Sequence, residues 1–213
     1  MKKDLAIYCA GGFGREVYCM IFNRIKNPEW NFIGYFDDIA DKGELLQYGA
    51  CLGGINELNN WHQPLDIVIA NGNPIAIKEI SKKIKNENID FPNIIDPSIN
   101  FFDINTIKIG KGNILSINCN LSCNVVIGDF NIFNGNIGLG HESHIGNYNV
   151  FMPGAQISGA VKIGSENLFG AKSFILQGLN IGSGVHLSPG SMLLTKPKDF
   201  STYIGNPAKR FRV

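Results

Sequence analysis

Ile127-Gly128-Asp129-Phe130-Asn131-Ile132-Phe133-Asn134-Gly135-Asn136-Ile137-Gly138-Leu139-Gly140-His141-Glu142-Ser143-His144-Ile145-Gly146 carries a large apolar residue at every sixth position: Ile127, Phe133, Leu139 and Ile145. The step holds outward in both directions. It runs back through Leu121 and Leu115 to Ile109, and forward through Phe151, Ile157, Ile163, Phe169, Ile175, Ile181 and Leu187 to Leu193. Every third member is an Ile followed by Gly, at 109, 127, 145, 163 and 181, a spacing of 18. Such a fixed short period dictates architecture. A helix is excluded, because a period of six at 3.6 residues per turn puts successive apolar side chains on different faces. Eighteen residues per turn instead predict three flat faces of six, a triangular β-solenoid. The large residue of each hexapeptide points inward, and Gly, Ser or Asn beside it permits the corner. Residues two before it are often small (Cys119, Val125, Ala155, Val161, Ser173, Ser191), as a narrow interior requires. Fifteen repeats predict five turns from about Thr106 to Leu194, a prism about 24 Å tall at the ~4.8 Å strand spacing. The tail from Lys196 to Val213 has lost the rhythm and contains Pro197 and Pro207.

The N-terminal part reads differently, with alternating strand and helix signals. Leu5–Cys9 predicts a strand ending in the glycine turn Ala10-Gly11-Gly12-Phe13-Gly14. A helix is expected from Arg15 to about Lys26, stopped at Asn27-Pro28. Phe32–Phe36 and Asp66–Ala70 predict two more strands, closed by Asp37-Asp38 and by Asn71-Gly72-Asn73-Pro74. Pro74 suits the first position of a second helix reaching about Asn86. The alternation predicts a small parallel sheet with ligands at the carboxyl ends of its strands. The join falls in Phe91–Ser98, so the expected division is a Rossmann-like α/β domain over 1–98 and an all-β domain with its tail over 99–213.

Bulk properties exclude several classes. Lys and Arg number 19 and Asp and Glu 18 among 213 residues, so no global field points to nucleic acid or an anionic membrane. No apolar stretch approaches the length of a membrane span. Five cysteines without a CxxC pair argue for neither a disulfide framework nor a zinc site. A soluble, cytoplasmic protein without a metal is expected.

The hexapeptide repeats, the glycine turn before them and the closing Tyr203-Ile204-Gly205-Asn206-Pro207-Ala208-Lys209-Arg210 resemble the sugar O- and N-acyltransferases typified by the sialic acid O-acetyltransferases. In layout the chain is most similar to the nucleotide-linked amino-sugar N-acetyltransferases, including the UDP-4-amino-sugar enzymes of bacterial glycosylation. The resemblance implies a left-handed parallel β-helix of about five turns. It also implies a homotrimer with active sites between subunits, acetyl-CoA as acyl donor, and a role in surface polysaccharide biosynthesis. By the same resemblance His141 maps onto the general base, Glu142 onto its carboxylate partner, and Asn134 onto a position near the acceptor amine. Gly159 maps onto the residue whose N–H faces the thioester carbonyl, while Ala171 and Pro189 map onto the cofactor groove. The acceptor, a nucleotide-sugar or sugar, maps onto Gly11, Gly12, Phe13, Asp37, Asp38 and Gly72. Three departures stand out: Gly140 where an acidic residue is common before the base, Val150 where some relatives have a second histidine that contacts CoA, and Phe13 where some relatives have histidine.

Read without the resemblance, His141 is a histidine at a solvated corner, and Asn134 an asparagine fit for a left-handed corner. Cys9-Ala10-Gly11-Gly12-Phe13-Gly14 is a GxGxxG fingerprint whose first Gly is Cys9, with Asp37 at the spacing of a ribose-binding acid. That pattern alone also allows NAD binding or a plain tight turn. The leading expectation is transfer of acetyl to the amine of a nucleotide-linked amino-sugar. Acetylation of a sugar hydroxyl is the alternative, and a non-catalytic hexapeptide scaffold the third.

Overall fold

The computed structural model describes residues 2–25 and 28–211. The chain divides into two compact units, Met1–Ile94 and Ile95–Val213, at residue 94 rather than 98.

The first unit is an α/β domain. Strands β1 (Lys3–Tyr8), β2 (Trp30–Phe36), β3 (Leu45–Leu46), β4 (Gly49–Gly53), β5 (Leu65–Ile69) and β6 (Ile89–Asp90) form one sheet in the order β3-β4-β2-β1-β5-β6. All pairs are parallel except the β3–β4 hairpin. The central strands are buried at Leu5–Tyr8 and throughout β5, the near-continuous apolar reading of a sheet covered on both faces. Asp66 is the buried exception, satisfied by the Trp30 indole N–H at 2.7 Å and by Lys3 Nζ at 3.6 Å.

Helix α1 (Gly12–Cys19) starts three residues before the expected Arg15 and widens into a π-helical turn, Met20–Arg24. The expected stop at Lys26 and Asn27 lies outside the described residues. Helix α2 (Ile55–Asn59) and the strands β3, β4 and β6 were not anticipated. Helix α3 (Pro74–Lys83) begins at Pro74, with the Asn73 carboxamide accepting from the Ile75 N–H at 2.9 Å. It ends three residues short of Asn86, because Ile84 is already extended.

The second unit is the left-handed prism. Its first face stacks Ile94–Ile95, Ile114–Leu115, Ile132–Phe133, Val150–Phe151, Leu168–Phe169, His186–Leu187 and Thr202–Gly205, with Ala208–Arg210 antiparallel at the end. The second face runs from Asn100–Phe101 to Met192–Leu193, and the third from Lys108–Ile109 to Asn180–Ile181. The three faces close five full turns and begin a sixth. The solenoid therefore starts before Thr106. A short 3-10 turn, Ile104–Thr106, lengthens its first turn, so that Ile95 and Leu115 lie 20 residues apart rather than 18. At the other end Tyr203 pairs with Leu187 across only 16 residues. The tail that lost the rhythm thus still extends the first face.

Every inward position from Leu115 to Leu193 is at most 4 % exposed. On the first face Phe133, Phe151 and Phe169 stack with centroids 4.7 and 4.9 Å apart. The interior is not wholly apolar. Asn113, Asn131, Asn149 and Asn167, two residues before the inward Leu115, Phe133, Phe151 and Phe169 of the first face, are fully buried. Each carboxamide oxygen accepts from the backbone N–H of the next turn; the first three also accept from the next asparagine's Nδ2. Each Nδ2 also donates to a glycine carbonyl at the opposite corner. Full pairing is what makes such burial tolerable.

The corners turn through left-handed residues spaced by six: Gly112, Asn118, Asn124, Phe130, Asn136, Glu142, Tyr148, Gly154, Ala160, Glu166, Lys172, Gly178, Gly184 and Gly190. Side chains other than Gly and Asn adopt this region at a cost of about 1–3 kcal/mol each. The fold sustains them because inward anchors three residues before and after fix the corner. Asn134 is not among them. At its corner the positive φ belongs to Gly135 and Asn136, which removes the left-handed explanation for that asparagine.

Candidate active site

His141 sits on the corner between the second and third faces. Leu139 and Ile145, both buried, clamp the backbone on either side, and His141 and Glu142 between them are exposed while Ser143 turns inward. Its imidazole Nδ1 lies 3.5 Å from Glu142 Oε2, with both side chains about half exposed (51 % and 61 %). Glu142 holds the left-handed turn, φ 58°. A carboxylate beside Nδ1 favours the tautomer protonated there, leaving the Nε2 lone pair free.

One turn on, Gly159 lies beneath the imidazole: a Cβ at that position would sit 2.6 Å from His141 Nε2 and 2.7 Å from Cε1. The two corners are tied together. The Ala160 N–H donates to the His141 carbonyl at 2.7 Å, and the buried Ser143 hydroxyl donates to the Ser158 carbonyl at 3.2 Å. The Gly159 N–H has no hydrogen-bond partner among the described residues. Gly140 has a geometric reason: a Cβ there would collide with the Gly159 nitrogen and the Ser158 carbonyl carbon. An acidic side chain before the base does not fit this backbone.

A groove of about 370 Å³ opens on the second face beside His141, between Phe102, Asn120, Gly138, Gln156 and Phe174. Gln156 folds over Gly138, its Nε2 donating to the Asn136 carbonyl at 3.0 Å.

Asn134, Ala171 and Pro189 lie elsewhere. Ala171 and Pro189 occupy one edge, between the first and second faces, where the Gly190 N–H donates to the Ala171 carbonyl at 2.8 Å. Asn134 is half-buried at the same edge, its N–H donating to the Phe151 carbonyl at 2.9 Å. That edge is separated from His141 by the width of a face, roughly 15–20 Å at ~3.3 Å per residue. Within one chain these residues do not meet His141.

In the α/β domain the expected residues gather at the carboxyl ends of β1, β2 and β5. Gly11 and Gly12 are exposed, and a Cβ at Gly11 would touch nothing within 4 Å. Gly11 caps α1 without a side-chain bond, so no capping side chain occupies the start of that helix, a setting suited to anions. Phe13 is half-buried on the same turn. Asp37 does more structural work than its role as ligand suggested. Oδ2 accepts from the Ala10 N–H at 2.8 Å, and Oδ1 from Ile39 and Ala40 at 2.8 and 3.1 Å. Burial raises its pKa, but these three N–H bonds outweigh burial and hold the carboxyl below the usual value. Asp38 is exposed and caps α2 through the Ile55 N–H at 3.0 Å. Gly72 is exposed with open space around its Cα, next to an Asn71 carboxamide that accepts from the Asn73 N–H at 2.9 Å.

Two residues at this edge were given no site role from the sequence. Cys9 adopts φ 80°, the left-handed geometry of the glycine it replaces in the fingerprint. Its sulfur accepts from Asn71 Nδ2 at 3.4 Å, and burial pushes the thiol pKa up. Tyr8 ends β1 with its hydroxyl buried and without a well-formed hydrogen bond; burial, then the Asp38 carboxylate close by, pushes its pKa far up. The sequence marks Cys9 as the residue in place of the fingerprint's first glycine, and the structure adds that it takes that glycine's left-handed conformation. Among the described residues no group of three or more His, Cys, Asp and Glu side chains is placed to hold a metal ion, and no helix is long and apolar enough to cross a membrane.

Residues 4–84 match the family model of the PglD N-terminal domain. A comparison with curated proteins finds no match. Solved structures share the whole architecture. The acetyltransferase domain of PglB from Neisseria gonorrhoeae, solved with acetyl coenzyme A, is 25% identical with a TM-score of 0.85 over 99% of this chain and 100% of that one. WeeI from Acinetobacter baumannii is 23% identical with a TM-score of 0.85, again over 99% and 100%. A perosamine N-acetyltransferase from Caulobacter crescentus, solved with CoA and GDP-perosamine, is 17% identical with a TM-score of 0.85 over 99% and 97%. The chain is similar to these from end to end, and the left-handed β-helix behind a PglD-type domain is its fold.

Proposed function

We propose that this chain is an acetyl-CoA-dependent N-acetyltransferase acting on the amine of a nucleotide-linked amino-sugar, within bacterial surface-glycan biosynthesis in the cytoplasm. The observation that carries this reading is the His141–Gly159 pair: an imidazole with a free Nε2 stacked over a glycine with a free N–H. An acyl transfer needs both. His141 Nε2 takes the proton from the attacking amine, and Glu142 orients the ring and supports the positive charge it acquires. The Gly159 N–H donates to the carbonyl oxygen as negative charge develops there. Acetyl-CoA supplies an activated thioester. The acceptor nitrogen bonds to its carbonyl carbon, the C–S bond breaks, and the proton passes through His141 to the departing thiol. The absence of side chains at Gly140 and Gly159 leaves room for the thioester against the corner.

Support for the substrates comes from the relatives, solved with acetyl coenzyme A or with CoA and GDP-perosamine, and from the PglD-type domain with its open helix N-terminus. A homotrimer accounts for the separation of the site residues. The edge carrying Asn134, Ala171 and Pro189 in one subunit completes the His141 corner of the next, so each active site lies between subunits. The test is release of free thiol from acetyl-CoA with a panel of 4-amino-sugar nucleotides and the matching hydroxy-sugars. Turnover with amines alone supports the proposal; turnover only with hydroxyl acceptors, or none while acetyl-CoA fails to bind, overturns it.

A further inference from the structure

Ser143 is a polar exception in an apolar column. Two residues before the inward Ile109, Ile127, Ile145, Ile163 and Ile181 of the third face stand Ile107, Val125, Ser143, Val161 and Leu179. Val125, Ser143 and Val161 are all fully buried, and Ser143 lies on the turn that carries His141. A hydroxyl in an apolar interior costs free energy unless it is paired. Here it donates to the Ser158 carbonyl at 3.2 Å. No other donor reaches that carbonyl among the described residues.

The Ser158 carbonyl belongs to the same peptide unit as the Gly159 N–H, the group assigned above to the developing oxyanion. In a trans peptide the C=O and the N–H share a plane and point in opposite directions. A carbonyl drawn inward to Ser143 therefore turns the Gly159 N–H outward, to the corner that the His141 imidazole covers. The neighbouring backbone bonds anchor the flanks, Ser158 N–H to the Ile175 carbonyl at 3.1 Å and Ala160 N–H to the His141 carbonyl at 2.7 Å. Neither one engages the peptide between them, and glycine at 159 leaves that peptide unusually free to rotate. A bond accepted at the carbonyl also polarises the unit, which makes its N–H a stronger donor.

We propose that Ser143 is a positioning residue for the acyl transfer, a role that rests on the acetyltransfer reading. Its buried hydroxyl holds and polarises the Ser158–Gly159 peptide, so that the Gly159 N–H meets the oxyanion of the tetrahedral intermediate. Ser143 donates a hydrogen bond throughout and transfers no proton. As negative charge grows on the acyl oxygen, the Ser158 carbonyl becomes a better acceptor and the Ser143 bond tightens. The contribution therefore falls on kcat and not on the affinity for acetyl-CoA. The alternative is a hydroxyl that only satisfies the backbone. The ladder asparagines make the same connection, fifteen residues on, to the carbonyls of Gly128, Gly146, Gly164 and Gly182.

The two roles separate when Ser143→Ala and wild type are compared on acetyl-CoA and on acetyl-dithio-CoA, in which sulfur replaces the acyl oxygen. Sulfur is a weak hydrogen-bond acceptor, so the dithioester depends little on the Gly159 N–H. Alanine suits the site, since Ala155 fills the matching inward position of the second face and is fully buried. Removing an oxyanion donor outright costs about 10²–10³ in kcat. Loosening and depolarising one should cost about fivefold to tenfold with acetyl-CoA, with KM for acetyl-CoA within about twofold of wild type. With the dithioester, kcat should stay within about twofold of wild type. Ser143→Cys keeps the shape with a weaker donor and should show the same selective loss at smaller amplitude, even if the alanine variant fails to fold. Unchanged kcat with acetyl-CoA in both variants overturns the proposal. An equal loss on the two thioesters also overturns it, and leaves Ser143 a structural hydroxyl. A wild type that releases no thiol with any amino-sugar nucleotide is a different result, and it defeats the acetyltransfer reading as well.

Discussion

Asn149→Ala should destabilise the prism by about 4 kcal/mol although Asn149 touches no substrate. The side chain is fully buried in the middle of the asparagine ladder and makes four hydrogen bonds. Its oxygen accepts from the Asn167 N–H at 3.0 Å and from Asn167 Nδ2 at 2.8 Å. Its Nδ2 donates to Asn131 Oδ1 and to the Gly164 carbonyl, both at 2.9 Å. Alanine leaves the Asn167 N–H without an acceptor inside the prism, a penalty of about 1–3 kcal/mol, and removes the remaining bonds at about 1 kcal/mol each. Asn167 Nδ2 keeps Gly182, and Asn131 Oδ1 keeps the Asn149 N–H, so the sum stays near 4 rather than rising to twice that. Equilibrium urea unfolding at fixed protein concentration measures it, with Asn180→Ala as the comparison. Asn180 is exposed on the third face, and its loss should cost no more than about 0.5 kcal/mol. A loss below about 1 kcal/mol for Asn149→Ala would show that the ladder is incidental to stability, against the usual cost of an orphaned buried donor.

Gly159→Ala inserts a methyl 2.6 to 2.9 Å from three atoms of the His141 ring. The imidazole must swing away, and kcat should fall about tenfold to a hundredfold with the circular dichroism spectrum unchanged; unaltered kcat contradicts the stacked geometry. Asp37→Asn should destabilise by about 1 kcal/mol at pH 7, allowing for solvent screening at this partly exposed site. The folded-state pKa of Asp37 is depressed, so its contribution is fully present above the unfolded value near ~3.9 and disappears as pH falls through the lower folded value. Urea midpoints of variant and wild type should therefore converge in that acid range, and a gap constant from neutral pH down to acid would be inconsistent with this account. Tyr8→Phe deletes a buried hydroxyl that makes no well-formed hydrogen bond, its nearest charged neighbour being the Asp38 carboxylate of a solvent-exposed residue, so stability should change by no more than about 1 kcal/mol in either direction. A clear drop in the melting temperature would mean that the Asp38 carboxylate holds the hydroxyl in a stabilising hydrogen bond.

The prism was legible because its signal is redundant: fifteen inward residues in phase outweigh any local ambiguity. Its ends were misjudged for the converse reason. Ile95 and Phe101 belong to the stack, but the insertion at Ile104–Thr106 shifts the phase by two, and the 16-residue step to Tyr203 does the same at the other end. The asparagine ladder was written in the sequence at the same period of 18. It was hidden because polar residues at interior positions look like surface until their mutual pairing is seen. At the His141 corner, sequence gave the residue types and the repeat phase. What it lacked was contact across turns: the imidazole over Gly159, the tie from Ser143 to Ser158, and the collision that keeps Gly140 bare. Asp37 shows the same limit in the α/β domain. Its spacing suggested a ligand, while its oxygens hold the glycine turn to the loop after β2.

His141 is the proposed proton acceptor of acetyl transfer, and the most direct test of that role is thiol release from acetyl-CoA by the His141→Ala variant with a 4-amino-sugar nucleotide that the wild type acetylates. Loss of a general base predicts a fall in kcat of about 10²- to 10⁴-fold, with oligomeric state and acetyl-CoA binding preserved, because the ring is half exposed and outside the packed interior. A kcat within about threefold of wild type, in a variant that still binds both substrates, would contradict it.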